Sequence, residues 1–458
     1  MTLTKLYSLF LQSAGVCTDT RKLKQGEIYI ALKGENFDGN LFAEKALENG
    51  ALAVVVDDNQ VVKKEDEKYV LVENGLKTLQ DLAHHHRMQF PDLEVIAITG
   101  SNGKTTTKEL VGAVLKTQYK VLVTQGNFNN HIGLPLTLLQ LKKGDEIAVL
   151  EMGDNKPGDI KELCEIAEPQ YGLITNIGYD HIGFYGSMDA NAKGKLELFE
   201  YIITEKKGIL YVNQDDTYLK PYTKYLHLNA PPLQDFVENA LALPYSVGDF
   251  GLVYEPLCKI VKKGLESLEV YLFLPSRKKP LRIKSTLSGS YNAENIIAAA
   301  VIGLNFEIPN EQIKSAIESY LPTNQRSQLI KLGEKNIILD CYNANPSSMK
   351  VAIENIVQLN SKNGVLLGDM LELGQFSEEE HRKLGELLNK CNLECIVLIG
   401  NEIKNTMAVL KNKNLHWFET TADAQPAVAD LMKNCEVILF KGSRGIGLEA
   451  LLNCFEIK

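Results

Sequence analysis

The stretch Thr99-Gly100-Ser101-Asn102-Gly103-Lys104-Thr105-Thr106-Thr107 decides the fold. Ahead of it, Val95-Ile96-Ala97-Ile98 reads as a short buried strand. Behind it, residues 108–115 repeat their apolar positions at helical spacing. A glycine-rich turn between a strand and a helix opening on Lys-Thr makes a phosphate cradle. Backbone N–H groups and the helix N-terminus face an anion, Lys104 reaches the outer phosphates, and the Thr105 hydroxyl is placed for magnesium. Gly100, Ser101, Asn102, Gly103 and Thr106 complete the nucleotide loop. The spacing departs from G-x-x-x-x-G-K-[ST], because Ile98 occupies the first glycine position. A plain glycine turn beside a solvated lysine is the alternative, and the strand-then-helix setting argues against it.

From this loop outward, residues 92–321 hold a series of apolar strands with polar or glycine ends: 95–98, 121–123, 147–150, 173–175 and 209–212. Helical segments alternate with most of them. The pattern predicts a doubly wound, mostly parallel α/β sheet, which binds ligands outside the carboxyl ends of its strands. Residues 269–274 and 281–284 read as antiparallel strands appended to it, and 292–303 as a helix. Glu151, at one strand end, offers a carboxylate to a nucleotide's magnesium. His181, just past another, is either a structural histidine or part of the same rim.

Residues 1–91 read as a small α/β domain: a first helix, a strand at 27–32, a turn-rich loop at 33–40, a helix at 41–49 stopped by Gly50, and a buried strand at 51–56. Asp19-Thr20-Arg21 either binds a phosphate or caps and salt-bridges. Residues 322–458 form a third α/β (Rossmann-like) unit, with strands at 336–339, 365–367, 395–399 and 437–440 but no second phosphate loop. Ser377-Glu378-Glu379-Glu380 reads as a capping box for the helix holding His381. Two rims facing each other across a hinge near residue 322 would close an active site.

Composition bounds the function. The 458 residues suit about three domains of roughly 150 residues, and 45% hydrophobic with 23% charged residues is ordinary for a soluble globular chain. No apolar run reaches the roughly 18 residues of a membrane span, and the first 16 residues lack a convincing cleavage site. A net charge of −9 without basic-aromatic clusters argues against nucleic acid as a partner. Eight scattered cysteines read as reduced thiols in the cytoplasm. The run His84-His85-His86 has no matching metal partners and reads as a solvated helix face.

Several further motifs carry a resemblance. Gly126-Asn127-Phe128-Asn129-Asn130-His131-Ile132-Gly133, Glu151-Met152-Gly153, residues 176–181 and Gly194-Lys195-Leu196-Glu197-Leu198-Phe199, together with the phosphate loop, resemble the Mur ligases, ATP-dependent amide ligases of cell-wall precursor synthesis. Tyr291-Asn292-Ala293-Glu294-Asn295, Asn324-Gln325-Arg326-Ser327-Gln328, residues 340–346, residues 367–374 and Lys441-Gly442-Ser443-Arg444 are similar to the branch that joins D-alanyl-D-alanine to a UDP-N-acetylmuramoyl tripeptide.

The resemblance implies ATP and two magnesium ions. Thr105 and Glu151 would hold one ion; Glu151, His181 and a carbamate on Lys195 would hold or position the other, with Lys193 the competing lysine. Lys104, His181, Lys195 and Arg326 would be catalytic. Asn292 and Asn295 would contact adenine, and Arg326 and Asp340 the nucleotide from the closing domain. Thr20, Arg21 and the loop beginning at Lys33 would take the UDP portion, Asn129 and Asn130 the muramoyl peptide, and Tyr342, Asn343, Asn345 and the 441–444 loop the dipeptide. After the histidine the family shows Leu-Glu-Gly-Phe-Gly-Ser, whereas here Gly183 replaces the acidic residue. A cytoplasmic monomer without membrane partners is expected. The rivals are a relative adding a diamino acid or glutamate, against which the absent Asp-Asn-Pro-Arg signature speaks, and a switch or transport NTPase that forms no bond.

Overall fold

The computed structural model describes residues 2–63, 66–180, 182–225, 241–247, 257–265, 267–273, 279–322, 325–411 and 414–455. At its centre is a nine-stranded sheet whose order is Leu281–Ser285, Leu268–Phe273, Leu257–Lys263, Leu241–Val247, Ile209–Asn213, Tyr171–Ile174, Glu94–Thr99, Ile147–Glu151, Val121–Val123. The pairings are parallel from Val121–Val123 through to Leu257–Lys263, and antiparallel over the last two strands. After Glu94–Thr99 the chain first builds one side of the sheet, then crosses back to build the other. That strand therefore ends at a topological switch point, the place where open α/β sheets leave a crevice for ligands. Its side chains from Val95 to Thr99 are wholly buried, so the turn that follows rests on a fixed base.

The N-terminal sheet is parallel, in the order Val16–Cys17, Ile28–Ile30, Ala53–Val56, Tyr69–Leu71. One apolar core runs from Leu6 and Phe10 through Leu79 and Leu82 to Leu134, Leu138 and Leu198, joining this sheet's helices to the central ones. The histidine run is not wholly a solvated face. His86 is buried; its Nδ1 lies 3.0 Å from the Tyr7 hydroxyl and its Nε2 3.1 Å from the Leu141 carbonyl. Burial holds its pKa below the usual histidine value. Between about 6.5, where the unfolded histidine titrates, and that lower folded value, the unfolded chain binds more protons. Stability should be full above that window and fall as pH drops through it, by at most about 1.4 kcal/mol per pH unit. Denaturant midpoints at pH 7.5 and 5.5 check this, with a smaller fall expected in His86→Gln.

The third sheet has the order Gln328–Leu332, Lys335–Asp340, Val437–Lys441, Asn363–Gly368, Cys395–Ile399, Leu415–Phe418, antiparallel only in its first pair. Val437–Lys441 lies between Lys335–Asp340 and Asn363–Gly368, which brings Asp340, Lys441 and Gly368 to one rim. The capping-box reading at Ser377 is corrected. The helix Ser377–Leu388 is entered from a 3-10 turn at Gly374–Phe376 and has no side-chain cap, because the Ser377 hydroxyl donates to Glu402 instead. Gly183 packs where the two domains meet: a Cβ there would lie 2.7 Å from the Leu373 carbonyl carbon. The side chain that the family pattern carries would separate the two backbones. No helix among the described residues is long and apolar enough to cross a membrane.

Candidate active site

Two glycines shape the phosphate loop. Gly100 has φ +133° and Gly103 φ +82°, and a Cβ on Gly100 would meet Thr175 Oγ1 at 2.1 Å. The helix Lys104–Leu115 starts directly after Gly103 with no side-chain cap, leaving its first N–H groups free for an anion. The neighbouring strand end braces the loop. Ser101 N–H donates to the Asn176 carbonyl (2.9 Å), Asn102 N–H to Asn176 Oδ1 (3.1 Å), and Thr175 Oγ1 to the Asn102 carbonyl (2.6 Å). Lys104 Nζ donates to the Gly100 carbonyl and folds over the loop. Desolvation lowers its pKa. Thr107 Oγ1 donates to Asn295 Oδ1 (2.9 Å), and Asn295 in turn donates to Asn292 Oδ1 (2.8 Å).

Beside the loop, Thr105 Oγ1 donates to Glu151 Oε2 at 2.9 Å, and Asn129 Nδ2 donates to Glu151 Oε1 at 2.9 Å. Lys108, not anticipated from the sequence, is fully buried. Its ammonium donates to the Thr124 carbonyl (2.7 Å) and stands 3.8 Å from Glu151. A hydroxyl and a carboxylate side by side suit a hard cation that takes its other oxygens from phosphates and water. Thr105 and Glu151 therefore fit one magnesium ion.

The surroundings of Lys195 do not fit the carbamate that the resemblance implies. The fully buried Lys195 Nζ lies 2.9 Å from Asp154 Oδ2, 3.2 Å from Asp180 Oδ2 and 2.5 Å from Asn191 Oδ1. Burial draws its pKa down, but Asp180 and Asp154 outweigh burial and leave it raised. Carbamate formation needs a neutral amine and creates an anion, which would here face two carboxylates. The ammonium serves as a tie: Asp180 Oδ1 accepts from Ser101 Oγ (2.5 Å) in the phosphate loop, and Asp154 Oδ2 accepts from the Tyr185 hydroxyl (2.6 Å). In this ammonium form Lys195 would repel a cation and not ligate one. His181 lies outside the described residues, as does Asn324.

Facing the loop across a cleft of about 530 Å³ is the rim of the third domain. Lys104, Thr106, Asn129, Asn130, Glu151 and Asn295 line one wall. Arg326, Asp340, Tyr342, Asn343, Asn345 and Lys441 line the other. Asn345 caps the helix Pro346–Val357 and donates to Asn102 Oδ1 (3.0 Å), a direct link between the two walls. Asp340 is occupied on both oxygens, by Ser327 N–H (3.2 Å) and by Lys441 Nζ (2.6 Å). Arg326 stacks on Tyr342 with its Cζ 3.8 Å from the ring centroid, and its Nε has no hydrogen-bond partner among the described residues.

Some expected residues stand elsewhere. Asn292 points inward, donating to the Ser288 carbonyl (2.6 Å), and braces Asn295 without lining the cleft. Thr20, Arg21 and Lys33 belong to the N-terminal domain and do not line it either. At the surface Arg21 pairs with Asp19 (2.8 Å) and Lys33 with Asp38 (3.2 Å). Glu294 was missed as a site residue. It lines the cleft, and burial, with Asp215 and Asp216, pushes its carboxyl up to about 7.

Comparison with known proteins places this geometry. Three family models match in series: Mur ligase family, catalytic domain, over residues 12–87; Mur ligase middle domain over 98–303; and Mur ligase, glutamate ligase domain, over 325–444. The UDP-N-acetylmuramoyl-tripeptide–D-alanyl-D-alanine ligase of Bacillus subtilis (strain 168) is 35% identical over 453 residues, covering 96% of this chain and 92% of that one. The chain belongs to the Mur ligase family. Among solved Mur ligases, a MurF structure from Acinetobacter baumannii superposes with a TM-score of 0.84 at 29% identity, covering 97% of each chain. The MurF ligase of Thermotoga maritima in complex with ADP gives 0.81 at 27% identity, again over 97% of each.

Proposed function

We propose that this Mur ligase joins D-alanyl-D-alanine to a UDP-N-acetylmuramoyl tripeptide at the expense of ATP, in peptidoglycan precursor synthesis. Residues 1–91 would hold the UDP portion, 92–321 the ATP, and 322–458 the incoming dipeptide. The observation that carries this reading is the cleft, which sets a phosphate loop with Lys104 and Glu151 against the Arg326–Tyr342 wall. The tripeptide's terminal carboxylate attacks the γ-phosphorus, forming an acyl phosphate and releasing ADP. The neutral amine of the dipeptide then attacks the acyl carbon, phosphate leaves, and one proton is lost.

Two anions meet in the first step, so Lys104 and the loop N–H groups must offset their repulsion, with Arg326 on the far wall. Magnesium held by Thr105 and Glu151 would supply further neutralisation of the phosphate oxygens. Asn129 and Asn130 are assigned to the muramoyl peptide, and Asn295 to the base. The contact of Asn102 with Asn345 and Ser347 supports closure that keeps water from the acyl phosphate. Cytoplasmic location follows from the need for ATP and agrees with eight unpaired cysteines. Phosphate release with UDP-N-acetylmuramoyl tripeptide tests the reading, with D-alanyl-D-alanine, diaminopimelate, L-lysine or glutamate as the amine. D-Alanyl-D-alanine should be the preferred acceptor; preference for diaminopimelate would overturn the assignment.

A further inference from the structure

Lys108 is a buried cation that the proposed reaction leaves unused. It lies one helical turn beyond Lys104 on the helix Lys104–Leu115, is wholly buried and does not line the cleft. Its Nζ donates to the Thr124 carbonyl (2.7 Å) and the Gly126 carbonyl (3.4 Å), and pairs with Glu109 at 3.0 Å. From Glu151 Oε2 it stands 3.8 Å, too far for a hydrogen bond but close enough for its charge to act. Glu109 is half-buried and screened by water, whereas Lys108 and Glu151 are both buried, so little solvent weakens the field between them.

The same compensation recurs around the cleft. Asp154 is paired with Lys195 at 2.9 Å and Asp340 with Lys441 at 2.6 Å, while burial pushes the Glu294 carboxyl up to about 7. Each carboxyl lining the cleft among the described residues thus has an ammonium close by or a weakened charge. A hydroxyl and one neutralised carboxylate offer a free divalent cation little net attraction, and Lys108 repels it at short range. Phosphates bound at the loop add several negative charges and reverse that balance.

Resting on the Thr105–Glu151 magnesium site read above, we infer that Lys108 keeps that site closed to a free divalent cation, so that the metal enters only together with the nucleotide's phosphates. A lysine with a purely structural role would act differently: its loss would loosen the metal whether or not nucleotide is present.

Binding of Mn2+ to the full-length protein, followed by the electron paramagnetic resonance signal of the free ion, tests this without turnover. Native, Lys108→Met and Lys108→Gln forms are compared alone and with ADP, after subtracting the metal that ADP holds by itself. Circular dichroism first confirms each fold; Lys108→Gln keeps a donor for the Thr124 carbonyl and serves if Lys108→Met does not fold. The native protein should bind Mn2+ about tenfold or more tightly with ADP than without, the low end of what a neighbouring charge does to proton binding at a carboxylate. In the neutral variants nucleotide-free binding should tighten by a similar factor, so that the dependence on ADP shrinks. Nucleotide-free binding left unchanged or weakened in the folded variant would overturn the inference, as would native binding equally tight with and without ADP. Absence of Mn2+ binding to the native protein even with ADP would instead remove the metal site on which it rests.

Discussion

Replacing Lys104 with alanine should lower turnover by on the order of 10³-fold while leaving the fold intact. The side chain is half-buried and, among the described residues, donates only to carbonyls of its own loop, at Gly100 and Ser101, so its loss leaves no buried charge unpaired there. What disappears is the ammonium that faces the charge developing as a carboxylate meets the γ-phosphate. Its depressed pKa fits this position: a desolvated cation interacts more strongly with an incoming phosphate than a hydrated one. Unchanged circular dichroism and melting, with the rate lost, is the expected pair of results. A variant that kept native turnover would mean that the loop binds no reacting phosphate.

Lys195→Met should act in the opposite way, on stability first. Removing the ammonium leaves Asp154 and Asp180 buried without their counter-ion, a situation that costs about 3–5 kcal/mol. The melting transition should fall, and the deficit should shrink at acid pH. Carboxyls left unpaired in the interior have raised folded pKa values, so protonating them favours the folded variant as pH falls through that range. Pairing the change with Asp154→Asn should recover part of the loss. Activity should fall as well, because Asp180 holds Ser101 and through it the phosphate loop. If melting were unchanged and activity returned on adding short carboxylates, Lys195 would carry the carbamate that the family resemblance implies, and the ion-paired role assigned to it would be wrong.

What was legible in the sequence followed the hydrophobic pattern. The buried strands Glu94–Thr99, Ile147–Glu151 and Val437–Lys441 are short apolar runs bounded by glycine or charge, and their polar ends marked both rims. Strands at sheet margins, and an interior one broken by a proline, left weaker traces. Gln328–Leu332 and Leu415–Phe418 are edge strands only partly buried, and Leu241–Val247 is interrupted by Pro244, so none stood out by alternation. Within the site, the phosphate loop was readable because its residues are consecutive. The Asp154–Lys195–Asp180 tie was not, since its members come from three segments that meet only when neighbouring strand ends converge. The family motif pointed to Lys195 as a reactive lysine. The two aspartates that hold it protonated lie outside the short motif around it. Asn345 illustrates a second limit: within a motif it suggested substrate contact, and it also caps a helix and bridges the two domains.

The central claim is that the cleft between the phosphate loop and the third domain activates a peptide carboxyl by phosphorylation before an amine takes it. The most direct measurement labels the terminal carboxylate of UDP-N-acetylmuramoyl tripeptide with heavy oxygen and follows the label through one round of ligation by mass spectrometry. Transfer of one labelled oxygen to the released phosphate, matched by formation of the D-alanyl-D-alanine amide, is the predicted result. Amide formation with all of the label left in the peptide product, or phosphate release at an equal rate without the tripeptide, would contradict it.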